Sequence, residues 1–466
     1  MDPQIPLGLA GHTHILGRTR TGKSRLIAER VLAGIREGYG VCVVDPHGEL
    51  YGLLRDYLAG YSLKFPQLNQ RVILFDPLDS RCPGFDPLHL WPDELVADRA
   101  EFLTNVICDV FHSDQNITVL LARVLRNLFA ALIESDRPLA DAMDFLARIV
   151  DPNQREQILA KVENEHVRRF WLQSLPSRIE AAKELLKSTE NRLAPLLTNP
   201  RYIPIFNRSR DGIDLLKIVE RGLVLLVNAP KGLIGEHNSK LLGAFVTASL
   251  QQAVMRRRNK QRLFWTVLDE FQLYTSPSIT SLFAEVGKYN NMLMVAHQHL
   301  SQIKDESLLD SVMTQCTDSI VFSIDENDAE VICKRMFKPS LDQVKHAKLR
   351  YQQLGGQIYA FPDITWRPMN EIWELEARKL SDDLNPRYFY QKRRNMPAFR
   401  FSSKNLPDPN VPEGVIESFI DRVSPRVIVR VVKLEAEEIP QKEPIVSSPN
   451  QKLPEYIPLW ADWPSV

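Results

Sequence analysis

The sequence predicts an α/β protein with a mostly parallel sheet, and three observations carry that expectation. Short apolar runs recur at 14–16, 41–44, 72–75, 223–227, 264–268, 293–296 and 320–322, each bounded by turn residues. Runs that are apolar at every position suit strands covered on both faces, as parallel strands are. Between them, apolar residues at helical spacing mark 23–37 and 239–258, and strand alternating with helix is the pattern of a layered α/β fold. The third observation is local: the glycine-rich segment GRTRTGKS lies between the first strand and the first helix.

That segment, Gly17-Arg18-Thr19-Arg20-Thr21-Gly22-Lys23-Ser24, fits G-x-x-x-x-G-K-[ST]. A strand before it and a helix after it are the context in which this pattern is a phosphate-binding loop. Wrapping a polyanion in backbone N–H groups needs glycine where the chain curls most closely. Lys23 brings positive charge to the terminal phosphates, the Ser24 hydroxyl can ligate Mg2+, and the helix N-terminus adds its dipole. The phosphate-contacting segment is taken as Gly17 through Arg25. A P-loop NTPase is the resulting expectation.

The next strand ends in VCVVDPHGEL, with Asp45 and His47 at the edge where ligands of such sheets bind. The same Asp-Pro and His-Gly pairs also make a competent structural turn, and the residues support both readings equally. From 76 to 202 the alternation stops, and stretches such as TVLLARVLRNLFAALIE have only helical spacing. This reads as an all-helical domain inserted into a core of 1–75 and 203–365.

Two later strands carry chemistry at their tips. FWTVLDEFQ ends in Asp269 and Glu270. A carboxylate there can hold the Mg2+ water shell, and its neighbour can polarise the attacking water as general base. MLMVAHQHLSQI places Gln298 at a strand tip, where its amide could sense the γ-phosphate. Its neighbours His297 and His299 are too close along the chain to form a zinc set with it. The cluster Arg256, Arg257, Arg258 and Lys260 ends a predicted helix, where cations complement the dipole, so a solvated helix cap is favoured over a nucleic-acid surface. Beyond the core, 366–395 is expected to be a helical extension. The proline-rich 396–466 is expected to be a mostly extended tail, with one strand-like run at 426–432.

Composition narrows the function classes. Lys and Arg number 58, as do Asp and Glu, so net charge is zero and any nucleic-acid surface must be local. Five scattered cysteines without a C-x-x-C pair suggest reduced thiols, with neither a disulfide framework nor a zinc site. No run approaches the roughly 18 apolar residues of a membrane span, and the N-terminus has no signal pattern, so a cytoplasmic protein with no intrinsic span is expected.

Taken together and in order, HTHILGRTRTGKS, VVDPHGEL, FDPLHLWP, LVNAPKGLIGE, VLDEFQ, KYNNMLMVAHQHLSQI and IVFSIDENDAEVI resemble the HerA/FtsK branch of P-loop ATPases. Within it they look most like the TraD/TraG-like coupling ATPases of conjugative type IV secretion. The resemblance spans about residues 10–365. It implies a RecA-like core, a homo-hexameric ring with ATP sites at subunit interfaces, and DNA, single- or double-stranded, or a nucleoprotein, as cargo through a central pore. It implies ATP and Mg2+ as cofactors, with Lys23 and Ser24 on phosphate and metal, Asp269 on the metal, Glu270 on water and Gln298 as sensor. Asp45 would stand behind the metal. Such coupling proteins usually begin with membrane helices, so the chain is expected either to be a soluble relative or to reach the inner membrane through a separate partner of the secretion or relaxase type.

Three positions depart from the family pattern. Arg20 stands where many relatives have a third glycine. Gly287 replaces an arginine that can reach a neighbour's ATP, so either Lys288 substitutes, or an arginine elsewhere does, or hydrolysis is weak. Ser323 replaces another arginine. A HerA-type repair motor is an alternative reading, and a weakly hydrolysing switch or assembly scaffold is another.

Overall fold

The computed structural model describes residues 11–111, 119–207, 212–274, 283, 285–339, 345–354, 357–403 and 406–424. Its strands are β1 His12–Leu16, β2 Gly40–Asp45, β3 Val72–Phe75, β4 Val224–Asn228, β5 Phe264–Leu268, β6 Asn291–His297, β7 Cys316–Val321, β8 Lys345–Leu354, β9 Gln357–Trp366, β10 Tyr388–Arg393 and β11 Phe399–Ser402. The first seven form on the seven apolar runs. The chain divides into two compact units, residues 1–29 with 293–406 and residues 30–292 with 407–466.

In the first unit the strand order is β11-β10-β7-β1-β6. β1 is parallel to both β6 and β7, and it is buried at every position, as a strand covered on both faces must be. The 366–395 segment contributes a helix, Met369–Ser381, and also β10, which closes antiparallel onto β7. Leu16, Val321, Ile324, Ile332, Met336, Leu380 and Leu384 form one buried cluster joining β1 and β7 to the helices Glu326–Met336 and Met369–Ser381. Each such side chain contributes roughly 1.5–3 kcal/mol on burial. β8 and β9 form a separate antiparallel ladder.

In the second unit β5-β2-β4-β3 is parallel throughout. Between β3 and β4 the chain is helical, with α1 (Lys23–Arg36) and α2 (Glu49–Lys64) preceding it in sequence. Its longer helices are α3 (Val96–Val110), α4 (Val119–Glu134), α5 (Ala142–Ile149) and α6 (Ile179–Leu197). Trp171, fully buried, sets its edge against Phe145 and Phe170. The Arg155 guanidinium is spent on the carbonyls of Ile149, Leu175 and Pro176, which satisfies it inside the helical layer. The helix Glu236–Arg256 is buried on nearly all sides. A Cβ added at its Gly243 would lie 2.1 Å from the Tyr274 ring, so this contact requires glycine.

Where it is described, the proline-rich stretch from 396 includes both extended and helical segments. β11 occupies 399–402, and Glu413–Val423 is a helix. Pro412 sits just before that helix, where a missing N–H costs no helical hydrogen bond. Ile416, Phe419, Ile420 and Val423 recur at helical spacing and are buried, and the helix packs on α2. Local periodicity outweighs composition here. The run 426–432 and the rest of the tail lie outside the described residues. All five cysteines are free thiols. Among the described residues no helix is long and apolar enough to cross a membrane.

Candidate functional site

The phosphate-loop residues lie in the first unit, and its backbone fixes them. Gly17 N–H donates to His297 O at 3.3 Å and Arg18 N–H to Ser323 O at 2.9 Å. The loop entrance is thus tied to the tip of β6 and to the residues after β7. A Cβ on Gly17 would come 2.5 Å from Cβ of Phe322, so the first glycine is required by contact. The second, Gly22, has φ of 111°, which side chains rarely adopt. Arg20 has φ of 63°. A glycine takes that left-handed conformation freely, whereas arginine holds it at a cost of roughly 1–2 kcal/mol.

Thr21 Oγ1 donates to Arg18 O at 2.7 Å and closes the loop on itself. Lys23, the first residue of α1, is buried, and its Nζ donates to the carbonyls of Gly17 and, at 3.1 Å, Arg18. The ammonium is therefore held at the centre of the loop's own backbone. Ser24 follows it, half-buried, while Arg18, Thr19 and Arg20 are exposed. Arg25 Nη1 donates to Leu406 O at 2.8 Å.

Gln298 is brought onto this loop: Thr19 Oγ1 donates to its Oε1 at 2.9 Å. Gln302 Oε1 accepts the N–H groups of both Gln298 and His299 at 3.0 Å, which fixes the strand tip. His299 is not a metal ligand with its histidine neighbour. Its Nδ1 lies 2.7 Å from Asp325 Oδ2, and Asp328 Oδ2 accepts the Leu300 N–H at 3.0 Å. Asp325 also caps the helix Glu326–Met336 through the Asp328 N–H at 3.0 Å. Burial pushes the Asp328 carboxyl up, with the neighbouring Asp325 adding to it. For Asp325 burial works the same way, yet the Asp328 N–H and His299 outweigh it and hold its carboxyl low. These three groups anchor β6 to the helix.

Asp45, Asp269, Glu270 and Lys288 lie in the second unit. Asp269 N–H donates to Val44 O at 3.2 Å, which registers β5 against β2. Asp269 and Glu270 are both buried. Glu270 has φ of 47°, and its Oε2 accepts Gln272 Nε2 at 2.7 Å. A left-handed glutamate at the tip of a parallel strand is a strained position of the kind found at active sites. Asp45 is engaged otherwise: its two oxygens accept the N–H groups of His47 at 2.8 Å and Tyr51 at 2.9 Å. Asp45 thereby closes the turn after β2 and holds the first turn of α2. Burial raises the Tyr274 phenol far above its ordinary value, and the Asp45, Asp269 and Glu270 carboxylates add to it. Lys288 is exposed in the turn Val286–Tyr289, next to an exposed Gly287.

Of the basic cluster only Arg257 is buried, while Arg256, Arg258 and Lys260 are exposed. Arg256 Nη2 pairs with Glu94 at 3.1 Å and its guanidinium lies 4.5 Å from the Trp91 ring centre, with Arg99 at 4.5 Å as well. Arg257 is buried against the carbonyls of Asn259, Arg262 and Tyr289. Arg258 and Asn259 donate their N–H groups to Glu220. Sequence reasoning missed several contributors to the loop. Ser323 acts through its carbonyl, His14 stands behind His297, and Arg387 donates its N–H to Thr21 O at 2.8 Å. A backbone role has no side-chain signature, and Arg387 belongs to no motif.

Similar proteins agree with this architecture. The bacterial conjugative coupling protein TrwBdeltaN70, in an unbound form, superposes with a TM-score of 0.53 at 13% identity over 87% of each chain. The plasmid coupling protein TrwB in complex with ADP and Mg2+ gives 0.51 at 15% identity over 84% of each chain. The same protein with a non-hydrolysable ATP analogue gives 0.51 at 16% identity, over 85% of this chain and 87% of the other. These likenesses are of fold. No curated protein matches the sequence. The family described as the type IV secretion-system coupling protein DNA-binding domain matches residues 5–337, which include the loop at Gly17, the carboxylates Asp269 and Glu270, and Gln298. The chain belongs to that family of type IV coupling proteins, on a P-loop ATPase fold.

Proposed function

We propose that this chain is the motor subunit of a coupling ATPase, hydrolysing ATP to drive DNA, or DNA carrying protein, through the pore of a homo-hexameric ring. The observation that carries the reading is the loop itself. Lys23 is buried at its centre, the entrance is pinned by Gly17 and Arg18, and Gln298 is hydrogen-bonded to Thr19. TrwB was solved with ADP and Mg2+ and with an ATP analogue, which supports the same cofactors here.

Mg2+ is a hard cation that takes oxygen ligands, and the Ser24 hydroxyl and the Asp269 carboxylate are oxygen donors of the kind it takes. When bound, it neutralises charge on the terminal phosphates. The chain's own residues do the rest. The N–H groups from Thr19 to Arg25 cradle the phosphates, and Lys23 gives up its loop carbonyls to reach them. Glu270 orients and deprotonates the attacking water, its carboxylate held by the Gln272 amide. Gln298, linked to Thr19, reports whether the terminal phosphate is present. Asp45 supports β2 and α2 from behind. Lys288 is the cation offered to a neighbouring subunit, though a point charge forks onto phosphate less well than a guanidinium. A cytoplasmic ring of this kind would meet the inner membrane through a secretion or relaxase-type partner.

The absent arginines at 287 and 323 favour one second reading, a switch that binds ATP and barely turns it over. ATP turnover with and without single- and double-stranded DNA, at one fixed salt concentration, separates the two. The motor predicts stimulation by DNA. It also predicts that Glu270→Gln loses on the order of 100-fold in turnover, as for removal of a general base, with ATP affinity within about threefold of wild type. ATP binding with no turnover under any of these conditions would establish the switch.

A further inference from the structure

We propose that Arg387 is a nucleotide-contacting residue, its guanidinium binding the phosphate chain of the nucleoside triphosphate held by the 17–24 loop of the same subunit. The proposal rests on the reading of that loop as the nucleotide site.

The first argument is placement. Arg387 lies just ahead of β10, and its N–H donates to Thr21 O at 2.8 Å. A Cβ built on Gly22 would lie 3.4 Å from Arg387 Cα and 3.6 Å from its Cγ. The side chain therefore leaves the backbone alongside the second loop glycine, one residue before the lysine that opens α1. Arg387 is exposed.

The second argument is conformation. Arg387 has φ of 73°, a left-handed geometry that glycine would adopt without strain. Both sides of the residue are pinned: beyond the bond to Thr21, its carbonyl accepts the Ser403 N–H at 2.8 Å and the Ser403 hydroxyl at 3.3 Å. The backbone function could be served by glycine at lower cost. What arginine adds is a guanidinium beside the loop.

The third argument is charge. The loop's own Arg18 and Arg20 are exposed, Ser323 gives the loop only a carbonyl, and Arg25 is turned to the Leu406 carbonyl. Arg387 places on the same unit a planar fork that matches phosphate oxygens.

The test is ATP affinity of the full chain, by calorimetry, for wild type, Arg387→Gly, Arg387→Lys and Lys23→Ala. Arg387→Gly suits the left-handed backbone, so its melting temperature should equal or exceed that of wild type. We expect it to bind ATP about tenfold more weakly, with Arg387→Lys in between, and the gap to narrow as salt rises, because an exposed cation is screened. Equal affinities for wild type and Arg387→Gly overturn the proposal. So does a loss in Arg387→Gly that salt leaves unchanged, since that is a backbone effect. Failure of the underlying reading looks different: Lys23→Ala would then bind ATP as well as wild type does, or wild type would bind none.

Discussion

His14 and His297 meet with 2.7 Å between their Nε2 atoms, both buried and stacked between β1 and β6. The His297 Nδ1 lies 2.9 Å from the His299 carbonyl, which can only accept, so Nδ1 carries the proton. Neutral His297 then presents a lone pair at Nε2, and His14 must donate. A second proton would set two donors face to face. Burial pushes the His14 imidazole well below its ordinary value, and the Arg335 charge pushes it in the same direction. The sign follows. Below about pH 6.5 the unfolded chain binds a proton at His14 that the folded chain refuses, so stability is full above that pH and falls as the pH drops. The slope from this one group is at most about 1.4 kcal/mol per pH unit. Denaturant unfolding at pH 7.5 and 5.5 should therefore show a smaller loss in His14→Gln than in wild type. An identical loss in both would mean that His14 titrates freely when folded. Nothing in the sequence pairs these histidines, because they stand 283 residues apart and only the parallel register of β1 and β6 joins them.

At the scale of elements, legibility followed the source of each element's stability. The parallel strands were readable because burial on both faces leaves continuous apolar runs, and β1 to β7 form on those runs. The places of Glu270 and Gln298 at strand tips were readable because each closely follows one of those runs within a contiguous motif. The terminal helix Glu413–Val423 was not, because eight neighbouring residues rich in proline and polar groups mask its apolar stripe. Its energetics are nevertheless those of a core element. Phe419 is fully buried, and Arg81 reaches Glu417 at 2.9 Å and Asp421 at 2.8 Å. Those two carboxylates are half or more exposed, so the ion pairs fix register more than they stabilise. Phe419→Ala should cost about 3–5 kcal/mol in a denaturant titration, while Glu417→Ala should cost less than about 1 kcal/mol. Equal effects of the two would place the helix's stability in its charges, contrary to its burial.

For the whole molecule, the departures at 287 and 323 bear on how subunits would work together. If the ATP sites are completed between neighbours in a ring, a Glu270→Gln subunit stalls itself and also deprives its neighbours of a cycling partner. Turnover should then fall faster than the fraction of active subunits. Mixing wild type with Glu270→Gln at equal concentration, after allowing exchange, should leave well under half of the wild-type rate in the presence of DNA. Subunits that hydrolyse independently would leave half. Adding Lys288→Ala to the mixtures identifies the group offered across the interface. If Lys288 serves a neighbour's phosphates, Lys288→Ala alone lowers turnover without weakening ATP binding, and wild-type subunits restore part of the rate by lending their lysine. If turnover is unchanged in Lys288→Ala, the exposed turn Val286–Tyr289 contributes no charge to catalysis. Arg387, acting within its own subunit, would then be the guanidinium that the loop depends on, and its loss would not be restored by mixing.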